Sequence, residues 1–188
     1  MYNLAIFASG SGSNAENIIC HFNEGNLAKV VLVLSENKDA FVLERARKTN
    51  VSSMLFTLDE LKNGKILSDL KGYSIDYIIL AGFLKLFPAS IIEEFPQRII
   101  NIHPALLPKF GGKGMYGAKV HKAVIEASEK ESGITIHYVN NNYDEGGIIF
   151  QAKCPVRKDD TPEMLAQRIH KLEYEHFPIV IEKLIQNA

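Results

Sequence analysis

The chain has 188 residues, 46% hydrophobic and 23% charged, with 21 basic and 22 acidic side chains giving a formal charge of -1. That length suits one globular domain with a sizeable core, and the interspersed charges give no basis for a nucleic-acid or membrane partner. Cys20 and Cys154 lie far apart without C-x-x-C spacing, no run approaches the ~20 apolar residues of a membrane span, and the N-terminal apolar run is too short for a signal peptide, so a cytosolic protein with reduced thiols is expected.

Short β-rich runs alternate with amphipathic ones. Asn3–Ala8, Lys29–Leu34, Ser52–Phe56, Ile75–Leu80 and Arg98–Ile102 predict strands. Between them, Asn14 is expected to cap a helix to about Asn23 and Asp39 one to about Thr49, while Asp59–Leu70 and Pro88–Phe95 predict two more. A glycine-rich loop, Gly111–Gly117, then leads into a helix over about Ala118–Ala127. Two strands, Gly133–Val139 and Gly147–Val156, precede a last helix that opens at Asp160-Thr161-Pro162 and runs towards Ile185. The alternation predicts an α/β fold: one doubly wound, mostly parallel sheet with helices on both faces, in a single domain over 1-188 without repeats or linkers.

The first turn reads ASGSGSN, Ala8 to Asn14. Gly10 and Gly12 stand where a strand must turn sharply into a helix, and the helix N-terminus directs free N–H groups and its positive dipole end at whatever fills the turn. An anion site and a tight turn without a ligand both fit this stretch. Read as G-x-G-x-x-A, the loop also permits a dinucleotide, with Glu36 after the second strand as the ribose acid. No P-loop sequence is present.

In RIINIHPALLP, Asn101 and His103 are two apart at a strand end, so their side chains leave the same face. Ligands collect beyond the C-terminal strand ends of open α/β sheets, so this pair and the Gly10–Asn14 loop are expected to share a crevice. Asp144, in the Asn- and Gly-rich segment NNNYDEGGIIFQ, lies on a loop from which a carboxylate reaches a cleft. An amide donor, an imidazole and a carboxylate together suggest acyl-type chemistry without an enzyme nucleophile. His137 fits either a cleft wall or the core, whereas His121, His170 and His176 read as ordinary helix-face residues. Sequences for metal hydrolysis or serine-esterase chemistry are absent.

ASGSGSN, LAGFLKLFP, NIHPALLPKF and YDEGGIIFQ, in this order and separation, resemble the folate-dependent formyltransferases, in particular those that formylate glycinamide ribonucleotide in purine synthesis. The Asn-x-His and Asp elements are shared with methionyl-tRNA formyltransferases and formyltetrahydrofolate hydrolases. Those carry a further C-terminal or N-terminal domain, for which this chain has no room.

The resemblance implies that the phosphate belongs to the ribonucleotide, held by Gly12, Ser13 and Asn14, with Glu173 on the ribose. It implies that Lys85, Leu86 and Phe87 hold the pterin through their backbone, under Asn140, Asn141, Asn142 and Tyr143. Asn101, His103 and Asp144 become the catalytic set for direct amine attack on 10-formyltetrahydrofolate through a tetrahedral intermediate. Asp144 is then expected to raise the pKa of His103. Formylfolate is a co-substrate and no metal is required; monomer and homodimer both remain open. A basic group reaches the phosphate in relatives, leaving Lys62 and Lys65 as candidates, and the Gly111–Gly117 loop has no assigned contact. Two other readings are a formyl transfer to water or another amine, and a non-enzymatic nucleotide-binding module.

Overall fold

The structure, a computed structural model, describes residues 1–187. Among them, seven strands form one sheet of order β3-β2-β1-β4-β5-β6-β7. β1 (Tyr2–Phe7), β2 (Ala28–Ser35), β3 (Ser52–Leu55), β4 (Tyr77–Leu80) and β5 (Ile99–His103) are parallel. β6 (Glu131–Tyr138) runs antiparallel to β5, and β7 (Ile148–Pro155) antiparallel to β6. The chain winds outward from β1 to β3 and returns to β4 beside β1, so strand order reverses between β1 and β4. Such a switch point opens a crevice beyond the strand ends.

β1 shows why both faces must be covered. Leu4 and Ile6 enter one core with α1 (Ser13–Asn23), α2 (Phe41–Lys48), α6 (Ala118–Glu126) and α7 (Pro162–Gln186). Ala5 and Phe7 enter the other with α3 (Leu58–Lys62), α4 (Lys65–Gly72) and α5 (Ala89–Glu94). The period-two alternation buries apolar side chains on both sides, and this burial dominates the folding free energy.

Three local expectations are corrected. Gly12, at φ 71°, is the N-cap of α1, which frees the Asn14 side chain for another partner. Ala40, rather than Asp39, precedes α2 and provides no side-chain cap. The helix expected over Asp59–Leu70 is two helices, because Asn63 ends α3 and Gly64, at φ 90°, starts α4. α3 is fixed by a Thr57–Glu60 capping box.

α7 carries Pro178 inside it. Proline has no N–H for the carbonyl four residues earlier, which leaves Tyr174 O without its helical donor. Asn17 of α1 fills that gap, donating from Nδ2 to Tyr174 O at 2.9 Å. On the same side of α1, Asn14 Nδ2 donates to Glu173 Oε2 at 2.9 Å and His21 pairs with Glu182 at 3.0 Å. The helix that starts at the first loop is thereby stitched to α7. No helix among the described residues is long and apolar enough to cross a membrane.

Candidate active site

The ends of β1, β4 and β5 open into a cleft of about 620 Å³, within the range of small-molecule sites. Gly10 to Asn14 form one wall and Ala81 to Lys85 the next, with Asn101, His103, Tyr143 and Asp144 at the centre. His170 and Glu173 come from α7.

The first loop is braced from behind by α2. A Cβ on Gly12 would lie 2.3 Å from Val42 Cγ2, so no side chain fits there. Val42 N donates to Gly10 O at 3.1 Å, and Arg45 Nε donates to Ser11 O at 2.9 Å. Arg45 also pairs with Glu16, the acid in the first turn of α1, removing the charge that would oppose an anion there. Ser9 Oγ donates to Glu36 at 2.8 Å and accepts from Leu84 N at 3.1 Å. Glu36 thus ties β2 to the β1 loop and does not line the cleft, leaving the dinucleotide reading without its ribose acid.

β5 and β6 build the centre by register. Asn101 lies opposite His137 and His103 opposite Thr135. Across Asn101, His137 Nδ1–H donates to Tyr138 O at 2.7 Å, leaving Nε2 to accept from Asn101 Nδ2 at 3.0 Å. That assignment fixes the amide plane of Asn101. Thr135 Oγ1 donates to Ala105 O at 2.7 Å and accepts from Leu107 N at 3.0 Å, anchoring the chain that leaves His103.

His103 is 3% exposed. Its Nε2–H donates to Phe110 O at 2.8 Å, and its Nδ1 lies 3.5 Å from Asp144 Oδ2. Both partner residues have left-handed backbones, φ 56° at Phe110 and 58° at Asp144, a conformation costing non-glycine residues roughly 1–2 kcal/mol. A Cβ on Gly111 would lie 2.5 Å from Leu107 Cδ2 and 3.2 Å from Asp144 Cβ, so glycine lets the loop close on the carboxylate. Gly112 N then donates to Asp144 Oδ2 at 2.9 Å.

Burial is the largest influence on His103 and pushes its pKa below the usual value; Asp144 and the Phe110 carbonyl act upward. This corrects the expectation of a raised value: Asp144 has the expected sign, but burial outweighs it in the open cleft. Burial acts upward on Asp144, yet the surrounding donors and positive charge, the His103 ring and the Gly112 N–H among them, outweigh it and hold the carboxyl below its ordinary range.

Gly12, Ser13, Asn14, Lys85, Asn101, His103, Tyr143, Asp144 and Glu173 all line this one cleft. Glu173, 5% exposed, accepts from Asn14 and pairs with His170 Nδ1 at 2.8 Å. That contact raises the His170 pKa. Other candidates lie elsewhere. Leu86 is exposed, and Phe87 is buried edge-on against Phe7, so a role for either falls to the backbone. Asn140 Oδ1 accepts from Asn142 N at 3.0 Å and Asn142 Nδ2 donates to Glu145 at 2.7 Å, shaping the loop beside exposed Asn141. Neither Lys62 nor Lys65 lines the cleft, and Lys65 pairs with Asp69 at 3.1 Å.

Sequence reasoning missed two histidine placements, His121 and His170, and left open that of His137, which is buried in the core. His121 and His170 line the cleft instead of decorating helix faces, and His137 locks Asn101. The alternation in ITIHYV carried the signal for His137, but its partner appears only with the antiparallel register. His176 packs against Phe150, with ring centroids 5.0 Å apart.

Residues 2–181 match the family described as Formyl transferase. The chain is 43% identical to a chloroplastic phosphoribosylglycinamide formyltransferase of Arabidopsis thaliana, covering 97% of this chain and 66% of that protein. It is 34% identical to a phosphoribosylglycinamide formyltransferase of Haemophilus influenzae, covering 97% of this chain and 86% of that protein. Glycinamide ribonucleotide transformylase 1 of Symbiobacterium toebii superposes with TM-score 0.91 at 33% identity, over 100% of this chain and 89% of that one. The chain spans about two thirds of the length of the Arabidopsis relative. The match over nearly the whole sequence, with the same fold around the Asn101, His103 and Asp144 cleft, establishes that the chain belongs to the formyl transferase family.

Proposed function

We propose that this protein transfers the formyl group of 10-formyltetrahydrofolate to the amine of glycinamide ribonucleotide, the formylation step of de novo purine synthesis. The observation that carries the proposal is one cleft holding an amide, an imidazole and a carboxylate at one place and an uncapped helix N-terminus at another. The names of the relatives support glycinamide ribonucleotide as the formyl acceptor. Both are soluble small molecules, and we place the reaction in the cytosol.

The chain acts as a single domain whose N-terminal part holds the ribonucleotide phosphate and whose C-terminal part holds folate and the catalytic groups. Gly12, Ser13 and Asn14 take the phosphate through backbone N–H groups. Glu173 crosses from α7 to take a ribose hydroxyl, with Asn14 fixing its carboxylate. Lys85, Leu86 and Phe87 present backbone to the pterin, under the Asn140–Tyr143 loop.

Attack of the ribonucleotide amine places negative charge on the formyl oxygen. Asn101, oriented by His137, donates to that oxygen. As the amine nitrogen bonds to the formyl carbon it sheds a proton, which the His103 imidazole takes up because carboxylate, carbonyl and oxyanion then outweigh burial. Asp144, held ionised, stabilises the imidazolium and helps return the proton to the leaving nitrogen of the folate. The route uses no enzyme nucleophile.

The test is an absorbance assay of formylfolate consumption with and without glycinamide ribonucleotide. Consumption that depends on the ribonucleotide and yields its formylated product is expected. Equal consumption without it makes water the acceptor and rejects the proposal.

A further inference from the structure

Beyond Gly112, which holds Asp144, the Lys113–Gly117 stretch and His121 have no part in the function proposed above, yet both line the same cleft. The Gly10–Asn14 loop has no basic residue, while the carboxylates Glu163 and Glu173 line the cleft. A phosphate dianion beside those acids needs a cation. Lys65, Lys109, Lys122 and Lys153 are engaged in ion pairs away from the cleft. Lys85 and Lys113 line it, neither with a carboxylate at ion-pair distance among the described residues; Lys85 stands on the wall assigned above to the folate, which leaves Lys113 for the ribonucleotide.

Lys113 leads into α6, whose first turn has neither a side-chain cap nor an acidic residue. Gly117 and Ala118, at that turn, line the cleft. The second observation is His121, the fourth residue of α6. Its ring is part of the cleft wall, it is 3% exposed, and its buried Nδ1 has no hydrogen-bond partner among the described residues. A buried polar atom left unpaired is costly, and a ligand group is the ordinary remedy. Burial and the neighbouring His170 keep this imidazole neutral, which suits it to hydrogen bonding rather than to supplying charge.

α6 packs against α7, the helix that carries His170 and Glu173, and Glu173 touches Asn14 of the first cradle. The α6 turn therefore belongs to the ribonucleotide side of the cleft. We propose that Lys113, the first turn of α6 and His121 form a second anion-binding wall, so that the ribonucleotide phosphate is held between the N-termini of α1 and α6. This inference rests on the proposed function for the identity of the ligand.

The test is calorimetric titration of the full chain with ribose 5-phosphate, alongside steady-state kinetics. Lys113→Met should weaken ribose 5-phosphate about tenfold and raise KM for glycinamide ribonucleotide similarly, as expected for one charge-assisted hydrogen bond. His121→Phe should weaken it comparably and His121→Asn less, while Lys62→Met, outside the cleft, should bind as wild type. Lys113 is exposed on a loop, so its variant carries the test even where His121→Phe does not fold. Ribose 5-phosphate affinity unchanged in Lys113→Met overturns the inference, as does a wild type that does not bind the probe. A rise in KM for formylfolate alone also overturns it and assigns the cation to the folate carboxylates. Weakened ribose 5-phosphate binding in a protein without formyl transfer keeps the second wall and rejects the proposed function instead.

Discussion

His103 Nδ1 faces Asp144 Oδ2 at 3.5 Å, while its Nε2–H already donates to Phe110 O. Both nitrogens therefore point at acceptors, and only the imidazolium satisfies both. Burial opposes that form. The unliganded protein should titrate His103 below the ordinary value of about 6.5, with the neutral ring dominant at pH 7. Asp144→Asn removes an upward influence and should lower the value further. NMR titration of the imidazole checks both; a rise in Asp144→Asn would contradict the electrostatic role.

His137 acts on Asn101 rather than on substrate. His137→Phe leaves Asn101 Nδ2 without its acceptor and the amide free to rotate. The expected result is a fall in kcat of about tenfold with little change in either KM, since misorientation affects the reacting oxygen more than binding. A rise in KM for both substrates with unchanged kcat would contradict this.

How much of the site was legible depends on the range of the interaction. Asn101 and His103 share a face because strand periodicity is local, and the glycines of the first loop mark a turn by their own chemistry. Asp144 belonged to the candidate set because a carboxylate on an Asn- and Gly-rich loop between two strands can reach into a cleft. The links from His137 to Asn101 and from Glu173 to Asn14 depend on antiparallel register and helix docking. The 36 and 159 residues separating those pairs leave no local trace. The α3–α4 break was legible locally, in the turn pair Asn63-Gly64, but an amphipathic pattern running on through it masked the signal.

Arg45 positions the first loop through Ser11 O and neutralises Glu16. Arg45→Gln should raise KM for the ribonucleotide by about tenfold while KM for formylfolate changes little. Adding Glu16→Gln should recover part of the loss, because the exposed acid no longer opposes the phosphate. Equal rises in both KM values would point to general loosening of the fold.

Asn17 and Pro178 form a stability pair. Asn17→Ala leaves the exposed Tyr174 O to water and should cost about 0.5–1 kcal/mol, lowering Tm by roughly 1–4 °C for a domain of this size. In a Pro178→Ala background the restored N–H can reach Tyr174 O, so Asn17→Ala should cost less there. Additive losses across the double-mutant cycle would contradict the link.

Asp160 is paired with Arg168 at 2.7 Å. Hydrogen bonds from Arg168, the largest influence, hold its carboxyl at about 2, below the ordinary value of about 3.9. A carboxyl depressed in the folded state stabilises the protein above its unfolded pKa, and that contribution is lost as pH falls from about 4 to about 2. Asp160→Asn should lower Tm at neutral pH and flatten the further decline between pH 4 and 2. A decline as steep as that of wild type would assign acid sensitivity to other groups.

The most direct measurement is single-turnover formyl transfer by Asn101→Ala, with ribonucleotide binding measured in the same protein. Loss of one oxyanion donor should slow transfer on the order of 10²–10³-fold, while ribonucleotide affinity stays within about twofold. Transfer at the wild-type rate would show that the reacting oxygen does not develop charge against this amide, and the assignment of the cleft's chemistry would fail.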